Sequence, residues 1–344
     1  MKAIVLYGQR DLRVETVPTP RPAAGEVLVR VRRAGICGSD MHYFLHGRAG
    51  SFVPKRPFIL GHEVAGEVVA EGPGGDTGLV GQRVAIDPSM PCGHCAYCRE
   101  GRYNLCINMR FYGSASTDPH VDGGFAEYAV APAANCHVLP EGMDWTAAAM
   151  AEPLSVAVHA AMRAGTLAGK SVLVIGGGAI GQLTALVARA FGASRIVLSD
   201  VAEFPRTLAI EIGADGALDA ADPDVVGAAK ALAPDGFHVV FEASGAPPAV
   251  SAAVALARRG GTIVQIGTLP ADVTAPLNAI MARELTYLGS FRFANAFRIA
   301  LDLLSSGRVS VDPLVNATYP LAEMDAAMAR AVGKDGVIKV QVEP

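Results

Sequence analysis

Charge is scarce in this sequence. Acidic and basic residues make up 18% of 344 residues, the formal net charge is −4, and no long basic run stands ready to neutralise several phosphates. That excludes a nucleic acid as the expected partner. Long apolar runs are missing as well, so no segment is expected to span a membrane. The opening MKAIVLYGQRDLRVE alternates apolar and polar residues and becomes charged by Arg10, which reads as a strand rather than a signal peptide. Cysteine is sparse but uneven: of six, four lie between Cys92 and Cys106. Such clustering in a long chain points to metal ligation in a reducing compartment, the cytoplasm by default, rather than to a disulfide framework. Repeats and low-complexity segments are not found.

What is present suffices for two domains, with apolar content to bury in each. Residues 1 to about 150 are rich in Gly, Pro and β-branched residues, with strand-like runs EVLVRVRRAGI, EVAGEVVAEG and GQRVAID between turn signals, and predict a mostly β half. From Ser171 strand-like VLVIGG, RIVLSD, HVVFEASG and TIVQIG alternate with helix-like AIGQLTALVARAFGA and AVSAAVALARRG. This is the pattern of βαβ units feeding a parallel sheet, so the fold class is α/β, with a doubly wound domain. After about Leu288 the texture is mixed again: a helix closed by Gly307, another near Ala322 to Val332, and a last strand VIKVQVE.

The turn after VLVI reads Gly176-Gly-Gly178-Ala179-Ile180-Gly181, a Gly-x-Gly-x-x-Gly between a strand and a helix. Gly176 permits the tight turn, Gly178 lets the backbone approach a pyrophosphate, Gly181 lets helix and strand pack, and the helix N-terminus offers free N–H groups to the anion. The next strand ends in Asp200, placed to accept from an adenosine ribose and to repel a 2′-phosphate. NAD is therefore the expected dinucleotide, with Arg206 the one residue that could tolerate NADP.

Cys92, Cys95, Cys98 and Cys106 stand at C-x2-C-x2-C-x7-C, a spacing that lets one loop wrap four thiolates around a tetrahedral zinc with no open position, hence a structural ion. His94 competes from inside the loop, but four cysteines already complete the shell. Cys136, alone, reads as a small buried hydrophobe. Two further segments set ligand types beside glycines: Cys37-Gly-Ser39-Asp-Met-His42-Tyr43 and His62-Glu63. Oxidising an alcohol requires acidifying its hydroxyl, which a zinc with an open position does while a cofactor accepts hydride. Spacing alone leaves Cys37 equally readable as a core thiol and His62 as a satisfied interior histidine.

Gly61-His62-Glu63, the four-cysteine loop and the Gly-rich turn, in that order, resemble the zinc-containing alcohol dehydrogenases of the medium-chain dehydrogenase/reductase superfamily along essentially the whole chain. The resemblance implies a GroES-like catalytic domain over 1–152 and 290–344, carrying the structural zinc loop, interrupted by a Rossmann domain over 153–289, with the active site in the cleft between them. It implies catalytic zinc ligation by Cys37, His62 and a glutamate, Glu152 or Glu63, which exchange roles within the family. It further assigns Ser39 and His42 to a proton relay, implies a homo-oligomer, dimeric or tetrameric, and directs attention to a polyol or sugar acid as the small-molecule substrate. The stretches 109–115, 119–125 and 289–293 are most like those of L-idonate 5-dehydrogenases, which yield 5-ketogluconate; sorbitol, xylitol or L-threonine are the alternative substrates, and a catalytically silent nucleotide-binding protein the alternative class. Tyr43, Arg110 and Arg292 are the expected substrate contacts, either arginine offering a planar fork to a carboxylate.

Overall fold

The structure, a computed structural model, describes residues 1–270 and 272–344. Among these the chain divides into two compact units: Met1–Glu152 with Ala300–Ser305 and Ser310–Pro344, and Pro153–Ile299 with Ser306–Val309.

In the first unit the alternating run at 26–35 forms the strand Glu26–Gly35, burying Val27, Val29 and Val31 on one side as a two-residue period requires. Burying each such side chain contributes about 1.5–3 kcal/mol before entropy is counted. This strand is central to a seven-stranded sheet whose path runs Cys136–Val138, Arg83–Ile86, Glu63–Glu71, Glu26–Gly35, Lys339–Glu343 and Val315–Pro320, with Tyr128–Pro132 also paired to Glu26–Gly35. Glu63–Glu71 and Lys339–Glu343 thus flank Glu26–Gly35, and Gly35 pairs with Glu63 on one side and Gln341 on the other. Lys2–Gly8 leads a three-stranded sheet, so the opening residues do form a strand.

The second unit carries six parallel strands in the order Gly216–Asp219, Arg195–Asp200, Ser171–Ile175, Phe237–Glu242, Ala257–Gln265 and Thr286–Gly289. The strand order reverses between Ser171–Ile175 and Phe237–Glu242, which makes the crevice beyond their C-terminal ends the place for a nucleotide. Helix Ala179–Ala190 buries Leu183, Ala185, Val187 and Ala188 at helical spacing. Residues 290–299, expected from sequence with the first unit, cluster with this one, and Phe293, Ala294 and Ala296 among them are buried. Among the described residues no helix is long and apolar enough to cross a membrane.

Candidate active site

Cys37 sits at the N-cap of the helix Gly38–His46, whose first turn is fixed by Asp40: its Oδ2 accepts from the Cys37 N–H at 2.9 Å. Across the sheet, the strand Glu63–Glu71 starts at Glu63, immediately after His62. One ligand atom from each of Cys37, His62 and Glu63 lies within 4.8 Å of the others. This is the donor set zinc prefers, a thiolate, an imidazole and a carboxylate, gathered closely enough for one ion to bind all three. Glu152, in the first turn of helix Ala151–Ala164, is buried beside them but is not one of the three converging groups.

Burial costs each of these charges solvation, and their neighbours decide the outcome. For His62 burial alone would lower the pKa, but the Cys37 thiol and Asp40 raise it well above the ordinary histidine value. Glu152 is pushed up to about 8, by burial first, with His62 pulling against it and Glu63 adding to it. Asp40 is fully buried, and burial raises its pKa against the opposing pull of His62. Its Oδ1 has no hydrogen-bond partner among the described residues and lies 3.8 Å from His62 Nδ1. Asp40 thus acts on His62 through charge, at a distance too long for a hydrogen bond. Asp40 went unremarked as a functional residue, although its place three residues after Cys37 carried the signal.

Ser39 and His42 follow on the same helix, three residues apart and so on one face. His42 is exposed, its ring centroid 5.5 Å from that of His46, and burial of part of the ring, then His46 and Lys334, lower its pKa. Tyr43 is 2% exposed in the core, and its hydroxyl accepts from the Ala115 N–H at 3.1 Å and lies 3.4 Å from Ser114 Oγ, which ties the helix to the 114–115 loop. Arg110 is exposed in the two-residue strand Arg110–Phe111 and lines a cavity of about 470 Å³ with Tyr112, His120 and Asp122, whose wall includes none of Cys37, His62, Glu63 and Glu152. Arg292 belongs to the second unit, at a left-handed φ of 51°, with its guanidinium 5.0 Å from the Phe291 ring centroid.

The four-cysteine loop closes as its spacing predicts. Ligand atoms of Cys92, Cys95, Cys98 and Cys106 lie within 4.8 Å of one another, with Cys95 and Cys98 sulfurs 3.5 Å apart and the Cys92 N–H donating to Cys106 Sγ at 3.2 Å. Backbone N–H groups from His94 and Cys95 point at the Cys92 sulfur and lower its pKa to about 6, led by that of His94. His94 is exposed, its Nδ1 2.8 Å from the Cys92 carbonyl oxygen, outside the ligand set. All six cysteines are free thiols, and Cys136 is buried, its thiol pushed up to about 12 by burial.

In the second unit the Gly-rich turn leads from strand Ser171–Ile175 to helix Ala179–Ala190, so Gly178 is the N-cap and Ala179 and Ile180 open the helix. A Cβ on Gly181 would sit 1.7 Å from the Gly176 carbonyl oxygen, and none could be accommodated. Around Gly178 there is open space within 4 Å, which fits a turn shaped for a pyrophosphate. Asp200 reaches back over the turn: Oδ2 accepts from the Gly177 N–H at 2.6 Å and Oδ1 from the Ala202 N–H at 2.8 Å. Arg206 donates to the carbonyls of Asp200 and Val201 at 2.9 and 3.0 Å and pairs with Asp219 at 3.1 Å, so its fork is engaged within the protein.

Comparison with known proteins agrees with this arrangement. The pattern described as "Alcohol dehydrogenase GroES-like domain" matches residues 23–141, and "Zinc-binding dehydrogenase" matches 179–306. The chain is 38% identical over 348 residues to a sorbitol dehydrogenase of Bacillus subtilis, covering 100% of this chain and 97% of that protein. It is 40% identical over 319 residues to L-idonate 5-dehydrogenase (NAD(P)(+)) of Escherichia coli, covering 92% and 91%. The crystal structure of L-idonate 5-dehydrogenase from Escherichia coli superposes with a TM-score of 0.92 at 38% identity, covering 100% of this chain and 98% of that one.

Proposed function

Since the chain belongs to the zinc-containing alcohol dehydrogenases of the medium-chain superfamily, in the group that acts on polyols and sugar acids, we propose that it oxidises L-idonate to 5-ketogluconate with NAD as hydride acceptor. The observation that carries the reading is the convergence of Cys37, His62 and Glu63 with Glu152 buried beside them. We assign these four to a catalytic zinc, and the four-cysteine loop to a structural one. When bound, the catalytic zinc acidifies the substrate hydroxyl and the nicotinamide takes the hydride.

The protein's own groups do the rest. Asp40, buried beside His62, favours the charged imidazole in the metal-free site. Ser39 accepts the hydroxyl proton and passes it along its helix face to His42, whose lowered pKa keeps it neutral and receptive at pH 7 and whose exposure lets water carry the proton away. The Gly-rich turn holds the pyrophosphate at a helix N-terminus, and Asp200 takes the ribose hydroxyls; the engagement of Arg206 supports NAD over NADP. Arg292 is the arginine we assign to the substrate carboxylate, since Arg110 lines a cavity whose wall has none of the metal-site residues. Free thiols support a cytoplasmic setting and, as in its family, we expect a homo-oligomer.

A sorbitol or xylitol dehydrogenase is the second reading, favoured by the full-length likeness to the Bacillus subtilis enzyme. The test is reduction of NAD and, separately, NADP with L-idonate, D-gluconate, sorbitol, xylitol and L-threonine, before and after treatment with a chelator. Zinc-dependent turnover of L-idonate supports the proposal; turnover of sorbitol, xylitol or threonine in its place keeps the chemistry and replaces the substrate; no turnover that a chelator abolishes favours a silent nucleotide-binding protein.

A further inference from the structure

The base of the metal site contains a group outside the expected set. Lys339, in the strand Lys339–Glu343, is 3% exposed, and its ammonium donates to Glu63 Oε1 at 2.5 Å, pairs with Glu63 Oε2, and donates to the Ile36 carbonyl oxygen at 2.9 Å. The two side chains come from strands on either side of Glu26–Gly35 and meet over Gly35. The slot is built for them: a Cβ on Gly35 would fall 1.9 Å from Glu63 Oε2 and 3.1 Å from Lys339 Cε. The Ile36 carbonyl oxygen thus anchors an ammonium that hydrogen-bonds one oxygen of the Glu63 carboxylate and lies in an ion pair with the other.

We propose that Lys339 is a positioning residue for Glu63: by hydrogen-bonding Oε1 while Oε2 has no hydrogen-bond partner among the described residues, it limits Glu63 to a one-oxygen approach to zinc and so keeps a coordination position for the substrate hydroxyl. The proposal rests on the zinc-site reading above. An unrestrained carboxylate would be free to chelate with both oxygens, and the alcohol would then have to compete with the second.

The experiment compares the full-length native chain with Lys339→Arg, Lys339→Met, Glu63→Gln and the double variant Glu63→Gln/Lys339→Met, each with cobalt(II) in place of zinc. Visible cobalt bands weaken as coordination rises from four to five, independently of turnover. In Lys339→Met the bands weaken and KM for the alcohol rises about tenfold, the scale of one hydrogen-bond-sized competition, with kcat less affected. Lys339→Arg keeps native bands. Because Lys339 acts only through Glu63, the double variant matches Glu63→Gln alone in bands and KM, and this comparison stands even if Lys339→Met does not fold, since neither charge is then left buried and alone. Unchanged bands and KM in Lys339→Met, or the same change in the Glu63→Gln background as in the native one, overturn the inference while leaving the zinc site intact. A native chain that binds one metal, undiminished by Cys37→Ser, overturns the zinc-site reading itself and this inference with it.

Discussion

Replacing Asp200 by alanine separates two jobs of one carboxylate. In the structure it accepts two backbone N–H groups, from Gly177 at 2.6 Å and Ala202 at 2.8 Å, and so ties the Gly-rich turn to the end of the neighbouring strand. On the proposed reading it also takes the ribose hydroxyls of the coenzyme. A hydrogen bond to a charged acceptor contributes about 1.5–3 kcal/mol, so the loss at the ribose raises KM for NAD about 10- to 150-fold. A 2′-phosphate with nearly two negative charges about 4 Å from the carboxylate is repelled by about 2 kcal/mol even at water-like screening, and alanine relieves that. KM for NADP therefore stays constant or falls, and the preference for NAD over NADP drops by at least about tenfold. Initial rates with each dinucleotide at saturating alcohol measure this directly, with a thermal melt to record the share that goes into the turn. An equal rise in both KM values would refute the argument, because it would mean that Asp200 serves the fold alone.

Gly181→Ala should abolish the fluorescence signature of bound NADH, and the 1.7 Å overlap with the Gly176 carbonyl should lower Tm by about 6–12 °C if the cost lies near about 3 kcal/mol, the upper end for overpacking. Cys98→Ser should reduce bound zinc from two ions to one per chain by elemental analysis, and zinc loading of the stripped native chain should release protons, since the Cys98 thiol is otherwise held up to about 12 by burial and the neighbouring thiols. In the metal-free chain both Glu152 and His62 have raised values, burial lifting Glu152 to about 8 and Cys37 and Asp40 outweighing the burial of His62. Their contribution is thus full below the unfolded values and lost as pH rises through the folded ones. Thermal scans of stripped protein should show Tm falling from pH 5 to 9 and recovering on adding zinc; a Tm that rises over that range would contradict the electrostatic description of the site.

Features set by local spacing could be read from the chain directly. The four thiols lie within a 15-residue segment and the dinucleotide turn within six, so neither needed knowledge of what the rest of the molecule does. The alternation of 26–35 likewise announced its strand. What spacing could not carry was strand adjacency. Lys339 is 276 residues from Glu63, and only the pairing of the strands on either side of Gly35 brings the two together. The partners of Tyr43 were hidden for a related reason: its hydroxyl is used by Ala115 and Ser114, 72 and 71 residues further along the chain. The position of 290–299 was missed because the apolar Phe293, Ala294 and Ala296 belong to no strand or helix whose period would have betrayed their side.

The same strand order has a temporal consequence. Residues 153–299, most of the second unit, are contiguous, whereas the sheet that carries Glu63 is completed only by Lys339–Glu343. At about 5–20 residues per second, a ribosome takes about 14–55 s to travel the 276 residues from Glu63 to Lys339. Throughout that interval Glu63 is on the nascent chain without the cation that pairs with it in the folded protein.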